Sequence, residues 1–330
     1  MKAFINVNPR TLGEAIDVLQ RSRRDGDRAV VTGGGSDLLS MIKDRLVQPD
    51  VLVNLKGVAG LDDVRVEADG IYIGGLTTLQ TLAEHPLLNR SYRVLSQAAG
   101  SVGTPQIRNV GTLAGNICQR PWCWYLRNDF PCFKNGGSTC FARDGENQFH
   151  AIFGNGPSYI VHPSDTAPAL VAIDARVQIR GPGGGRVVPA HEFFVWPTED
   201  PARENVLRED EIVTGVVLPA AVPAVRSTYM KLLDRESWTH ALASVALTLE
   251  MRGTVCRRAR IVLGGVAPIP LDRPGAARGL EGQPITAAAA ATAANAALDG
   301  ARPLGKNGYK VTLTANMVRR AVLDLAEKAD

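Results

Sequence analysis

The sequence predicts an α+β chain of two or three domains, and three observations carry that expectation. Short strand-like runs alternate with short amphipathic helices before residue 219, and a proline-rich stretch at 219–225 (PAAVPAV) then marks a boundary. Beyond it, strand-like runs at 228–233, 243–249 and 260–263 are followed by alanine-rich helical tracts at 286–298 and 316–328, the order of an antiparallel sheet backed by helices. With 330 residues, 45% of them hydrophobic, the chain can bury a large core.

Residues 2–7 (KAFINV) have the composition of a short strand. Thr11 and Glu14 form a capping-box pattern that opens a helix with Leu12, Ala15, Ile16 and Leu19 on one face. A strand at 29–32 then runs straight into Gly33, Gly34, Gly35, Ser36 and Asp37, and Leu38, Leu39, Met41 and Ile42 start a short helix. Glycines let backbone N–H groups approach an oxyanion and a helix start attracts negative charge, so the unit suits a phosphate. It is not a Rossmann fingerprint, because Leu38 stands where the third glycine of G-x-G-x-x-G belongs. A tight turn holding no ligand explains this loop, taken alone, equally well.

Strands at 51–55 and 71–74 and helical pieces at 78–84 and 95–99 lead to a second glycine loop, Gly111-Thr112-Leu113-Ala114-Gly115-Asn116. Two such loops can grip one pyrophosphate from both sides. Further on, a strand is expected at 159–162, and Pro163-Ser164-Asp165 puts a carboxylate at its end, suited to a ribose or ribityl hydroxyl or to capping a helix at 167–171. Strands at 175–179 and 211–218 close this part. Gly300 and Gly305-Lys306-Asn307 reproduce Walker A spacing, but Asn307 replaces the Ser or Thr and the segment follows a helix, so no nucleotide loop is expected there.

Between the second glycine loop and residue 141 lie four of the five cysteines, Cys118, Cys123, Cys132 and Cys140, spaced C-x4-C-x8-C-x7-C. Trp122, Trp124, Tyr125, Phe130, Phe133 and Phe141 crowd the same segment of a chain that is only 5% aromatic, which argues for one built site. Pro121, Pro131 and the Gly136-Gly137 pair keep it an irregular loop able to wrap a compact metal centre. Thiolates suit zinc and iron–sulfur clusters alike, but structural zinc brings its cysteines in pairs two to four residues apart, which only the first pair satisfies. An apolar aromatic shell favours the iron–sulfur reading, with Arg120, Arg127 and Lys134 offsetting the charge. Two disulfides, which require an oxidising compartment, and four unrelated buried thiols, which rarely cluster so closely, are the competing readings. Cys256, alone, reads as a buried small hydrophobe.

The net charge of +4 is mild, and the basic clusters at 21–24 and 257–260 are short and without interleaved aromatics, so they read as solvated faces with no nucleic-acid partner. No apolar run approaches the ~18 residues of a membrane span. The N-terminus MKAFINVNPR lacks a signal-peptide core, so the expected location is cytoplasmic, or periplasmic by co-export with a partner chain.

Taken together, TGGGSDLL at 32–39, QIRNVGTLAGN at 106–116, PSDTAPAL at 163–170 and GGVAP at 264–268 resemble the FAD-binding, or medium, subunits of the molybdenum hydroxylase (xanthine dehydrogenase) family, over nearly the whole chain. The resemblance implies an FAD-binding fold of the vanillyl-alcohol oxidase type in two α+β subdomains, 1–58 and 59–222, followed by a C-terminal α+β domain at 226–330 with a small antiparallel sheet and helices. It implies that Gly33, Gly34, Gly35, Ser36 and Asp37 bind the FAD pyrophosphate together with Gly111, Thr112, Gly115 and Asn116. Asp165 then holds flavin or ribityl polar groups, and Lys231 lies near the isoalloxazine.

The cysteine insert at about 117–141 departs from the ordinary family pattern. In this it is similar to the FAD subunits of bacterial periplasmic aldehyde oxidoreductases and of 4-hydroxybenzoyl-CoA reductases, and its compact length is nearer the former. By that resemblance Cys118, Cys123, Cys132 and Cys140 ligate one [4Fe-4S] cluster. The implied role is electron transfer in a heterotrimer: a molybdenum-cofactor large subunit oxidises an aldehyde, a small [2Fe-2S] subunit relays electrons, and FAD here passes them to an external acceptor. The flavin carries the chemistry, so no general acid or base is expected in this chain. Two alternatives stand beside it: the reductase direction toward an aromatic thioester, and a zinc-stabilised nucleotide-binding module without redox activity.

Overall fold

A computed structural model describes residues 2–235 and 239–327, and it builds them around three sheets. The capping box forms as its sequence dictates: the Thr11 hydroxyl accepts from the Glu14 amide at 3.2 Å, and the Glu14 carboxylate accepts from the Thr11 amide at 3.3 Å. The helix Leu12–Asp25 that follows ends at Gly26, whose φ of +80° supplies the left-handed cap. It packs Ala15 and Leu19 against a parallel sheet of β1 (Ile5–Val7), β2 (Ala29–Thr32) and β3 (Val51–Asn54), in the order β1-β3-β2.

The second sheet is antiparallel, in the order β4-β5-β8-β6-β7, built from β4 (Val64–Glu67), β5 (Gly70–Gly74), β6 (Arg176–Gly181), β7 (Gly184–Pro189) and β8 (Ile212–Pro219). Its core takes in Ile73, Leu82, Leu95, Leu113, Leu170 and Phe193 from the sheet and the helices laid on it. The strands β4 and β7 at its edges carry no expectation from sequence. β4 (VRVE) alternates over only four residues, and β7 opens on two glycines and closes on a proline, so neither carries an apolar run.

The third sheet, β12-β11-β10-β9, is antiparallel and comprises β9 (Val225–Leu232), β10 (Ala243–Arg252), β11 (Val255–Gly264) and β12 (Leu271–Asp272). Strand alternation divides its faces. Val245, Leu247 and Leu249 point to the alanine-rich helix Ala287–Ala297 and the long helix Tyr309–Ala326. Ala246, Tyr229 and Val262 point the other way, into the core of the second sheet, where the helices Arg93–Gly100 and Thr166–Ala172 lie. The C-terminal sheet is thus buried on both faces, and it brings β9 to the flank of Asp165.

Two local expectations need correction. Residues 159–162 are not a strand; they join no ladder and are tied singly, with the His162 amide donating to Ala267 O at 3.0 Å and Tyr159 O accepting from the Ala151 amide at 3.0 Å. The last helix starts at Tyr309, well before the expected 316, and residue 328 of that expectation lies outside the described residues.

Candidate flavin and cysteine sites

The first glycine loop is shaped by contact with the second. A Cβ on Gly34 would collide with the carbonyl oxygen of Val110, one on Gly33 would lie 2.9 Å from Thr112 Oγ1, and Gly35 has a φ of +75°. Among the described residues, the amides of Gly34, Gly35, Ser36 and Asp37 find no acceptor in the chain. Unpaired backbone donors on a partly exposed loop fit a polyanion such as a pyrophosphate.

The second loop spends its side chains on structure. Thr112 Oγ1 accepts from the Gly115 amide at 3.2 Å, capping the short helix Leu113–Ile117. Asn116 is buried, and its Oδ1 accepts from Ser164 Oγ and Thr166 Oγ1, each at 2.6 Å. Asn116 therefore ties this loop to the segment carrying Asp165.

Asp165 does not cap the helix Thr166–Ala172. Its carboxylate accepts from Tyr229 Oη and from Lys231 Nζ, both at 2.7 Å, and Lys231 also donates to Ser101 O at 3.0 Å. Burial pushes the Asp165 carboxyl above its ordinary range, with the Lys231 ammonium opposing that rise. Beside the pair, His162, Pro163, Ser164, His240 and Ser244 help to line a small pocket. Burial pushes His162 down to about 3 and His240 to about 4, and the buried His162 Nε2 has no partner. Tyr229, His162 and His240 escaped the sequence reading. Tyr229 had one signal, its i, i+2 spacing from Lys231, which puts both on one face of β9.

In the cysteine insert, Cys123, Cys132 and Cys140 line one small cavity walled by Tyr125, Phe133 and Phe141. Rings close around it: Tyr125 and Phe130 stand 5.3 Å apart edge to face, and Phe130 and Phe141 5.1 Å. Cys118 ends the helix Leu113–Ile117 and packs against the core of the second sheet, away from this cavity. No group of three or more His, Cys, Asp or Glu side chains among the described residues is placed to hold a metal ion.

Cys123 Sγ lies 3.3 Å from His150 Nε2, and Cys140 Sγ accepts from the Tyr159 amide at 3.5 Å. Burial pushes the Cys118 thiol up to about 12 and Cys123 to about 11, shifts that a bound metal would reverse by stabilising the thiolates. Soft thiolate donors and an apolar wall are the chemistry that an iron–sulfur cluster takes, and Cys123, Cys132 and Cys140, without Cys118, share this cavity.

The basic residues of the insert are paired elsewhere. Arg127 Nη2 lies 2.8 Å from Asp37 Oδ1 of the glycine loop, and Arg120 and the buried Lys134 both reach Glu204, at 3.3 and 3.0 Å. Cys256, in β11, is buried, and its thiol donates to Arg258 O at 3.4 Å. The Walker-like segment clasps the chain beyond the last of the four cysteines instead. Asn307 Nδ2 donates to His150 O and Ala151 O, and Lys310 Nζ to Phe149 O and Gly265 O.

Residues 2–221 match the family profile described as the FAD binding domain in molybdopterin dehydrogenase, and residues 228–325 match the CO dehydrogenase flavoprotein C-terminal domain. The chain belongs to the FAD-binding subunits of the molybdenum hydroxylase family. This FAD subunit is 36% identical over 275 residues to the aldehyde oxidoreductase FAD-binding subunit PaoB of Escherichia coli K12, covering 82% of this chain and 83% of that one. It is 28% identical to the carbon monoxide dehydrogenase medium chain of Hydrogenophaga pseudoflava, over 95% of this chain and 94% of that.

Among solved structures, carbon monoxide dehydrogenase from H. pseudoflava matches with a TM-score of 0.77 at 26% identity, covering 98% of this chain and 96% of that one. Quinoline 2-oxidoreductase from Pseudomonas putida 86 matches with a TM-score of 0.77 at 25% identity, covering 99% of each chain. This FAD subunit is thus a component of an oxidoreductase, of α+β fold, and its relatives are named as medium or FAD-binding subunits. No helix among its described residues is long and apolar enough to cross a membrane.

Proposed function

We propose that the chain is the FAD- and [4Fe-4S]-binding electron-transfer subunit of a heterotrimeric molybdenum-containing aldehyde oxidoreductase. Its partners are a molybdenum-cofactor large subunit and a small [2Fe-2S] subunit, and its product is reduced external acceptor. The observation that carries the reading is the gathering of Cys123, Cys132 and Cys140 on one aromatic-walled cavity in a chain of this family; the reading takes Cys118, which lies outside that cavity, as the fourth ligand. The similarity to the E. coli aldehyde oxidoreductase subunit supports the substrate class.

When bound, FAD supplies the exchange between single-electron donors and a two-electron acceptor. The chain's own residues do the rest. The free amides of 34–37 hold the pyrophosphate, and the interlocked second loop at 110–112 fixes their shape. Asp165 and Lys231, locked together from two parts of the chain, present fixed polar groups to the ring system. The aromatic wall of the insert keeps water from the cluster. The division into 1–58, 59–222 and 226–330 belongs to the same reading.

The test is anaerobic purification of the complex with its natural partners, followed by flavin, iron, sulfide and molybdenum analysis. The expected result is one FAD and about four irons on this chain, with aldehyde bleaching the flavin in the complex but not in the isolated subunit. Aldehyde-dependent bleaching of the molybdenum-free single subunit overturns the assignment, as does a complex that lacks flavin.

A further inference from the structure

Asp37 ends a loop whose neighbouring amides are unpaired, and a bare carboxylate there opposes any bound pyrophosphate by like charge. The structure turns that carboxylate onto the cysteine insert. Asp37 Oδ1 accepts from Arg127 Nη2 at 2.8 Å, and Oδ2 accepts from the Arg120 amide at 3.2 Å. Arg127 is itself held rigidly: Nε donates to Pro121 O at 3.0 Å, Nη2 to Arg120 O at 3.1 Å, and the guanidinium lies 4.2 Å over the Trp122 ring.

The two side chains are only 9% and 18% exposed, so the pair is poorly screened by solvent. The Arg120 guanidinium does not compete for Asp37, because it is engaged with Glu204 and Lys134 O.

We propose that Arg127, carried by the cysteine insert, is a positioning residue for FAD: it neutralises Asp37 and holds that carboxylate away from the pyrophosphate bound by the glycine loop. This rests on the reading that loop 33–37 takes the pyrophosphate. The insert and the flavin site then form one unit through Asp37.

The experiment measures the FAD dissociation constant of the deflavinated complex by flavin fluorescence, with iron content followed in parallel. Arg127→Met is expected to weaken FAD by about tenfold or more, and adding Asp37→Asn to it is expected to restore most of the loss, since the charge needing neutralisation is gone. If the double variant stays as weak as Arg127→Met with iron retained, Arg127 touches the cofactor itself and the inference is overturned. If it stays weak and iron falls too, Arg127 only holds the insert together, which overturns it equally. Ser36→Asp, on an exposed loop position, separates the underlying reading: it should weaken FAD, and wild-type affinity in that variant refutes the pyrophosphate site itself.

Discussion

Replacing Lys231 with Met removes one member of an ion pair whose side chains are only 4% and 5% exposed. The methionine keeps most of the stem's volume, so the change is chiefly electrostatic. Asp165 is left with the Tyr229 hydroxyl alone, and Ser101 O loses its donor. Breaking one side of a buried pair costs about 3–5 kcal/mol. The carboxyl relieves part of this by taking a proton, because burial already raises it and Lys231 is the foremost influence holding it down.

The sign follows. A carboxyl whose folded pKa lies above its unfolded value destabilises the fold at higher pH, and the cost fades as pH falls through the folded value. Urea unfolding of the deflavinated chain should therefore show a loss of about 3–5 kcal/mol for Lys231→Met at pH 7.5 and a smaller one at pH 5. Asp165→Asn added to it should recover a large part. A loss below about 1 kcal/mol, or a double variant no more stable than the single one, refutes the reasoning.

Gly34→Val drives a branched side chain into Val110 O, spreads the two glycine loops and should strip FAD while iron stays; undiminished flavin in the folded variant contradicts it. His162 is held neutral down to about pH 3 against an ordinary value of 6.5. Stability from this group is complete above pH 6.5 and falls by about 1.4 kcal/mol per unit below it, so His162→Phe should flatten the acid limb of a stability profile. An unchanged acid limb would show that the imidazole is already charged in the fold.

What the sequence disclosed was local or strongly apolar. Thr11 and Glu14 announced their helix because both partners of the capping box lie within one turn. Strands β2, β3, β5 and β8 were legible as apolar runs, whereas β4 is a four-residue edge strand and β7 opens on two glycines and closes on a proline. The segment 159–162 misled because Ile160 is buried although its backbone pairs only singly.

At the site, the glycines and cysteines were visible, but their partners were not. Asp37 reaches Arg127 across 90 residues and Asp165 reaches Lys231 across 66, pairings that no local spacing encodes. Cys118 caps the short helix Leu113–Ile117 and does not line the cavity of the other three thiols, a separation that the C-x4-C spacing does not announce.

The most direct test of the account is iron and acid-labile sulfide per chain, measured on anaerobically prepared protein across the five single Cys→Ser variants with spectroscopy of the reduced cluster. The account predicts that Cys118→Ser, Cys123→Ser, Cys132→Ser and Cys140→Ser each diminish or abolish the cluster and that Cys256→Ser leaves it intact. Zinc in place of iron, or a cluster that survives Cys132→Ser and is lost in Cys256→Ser, contradicts it.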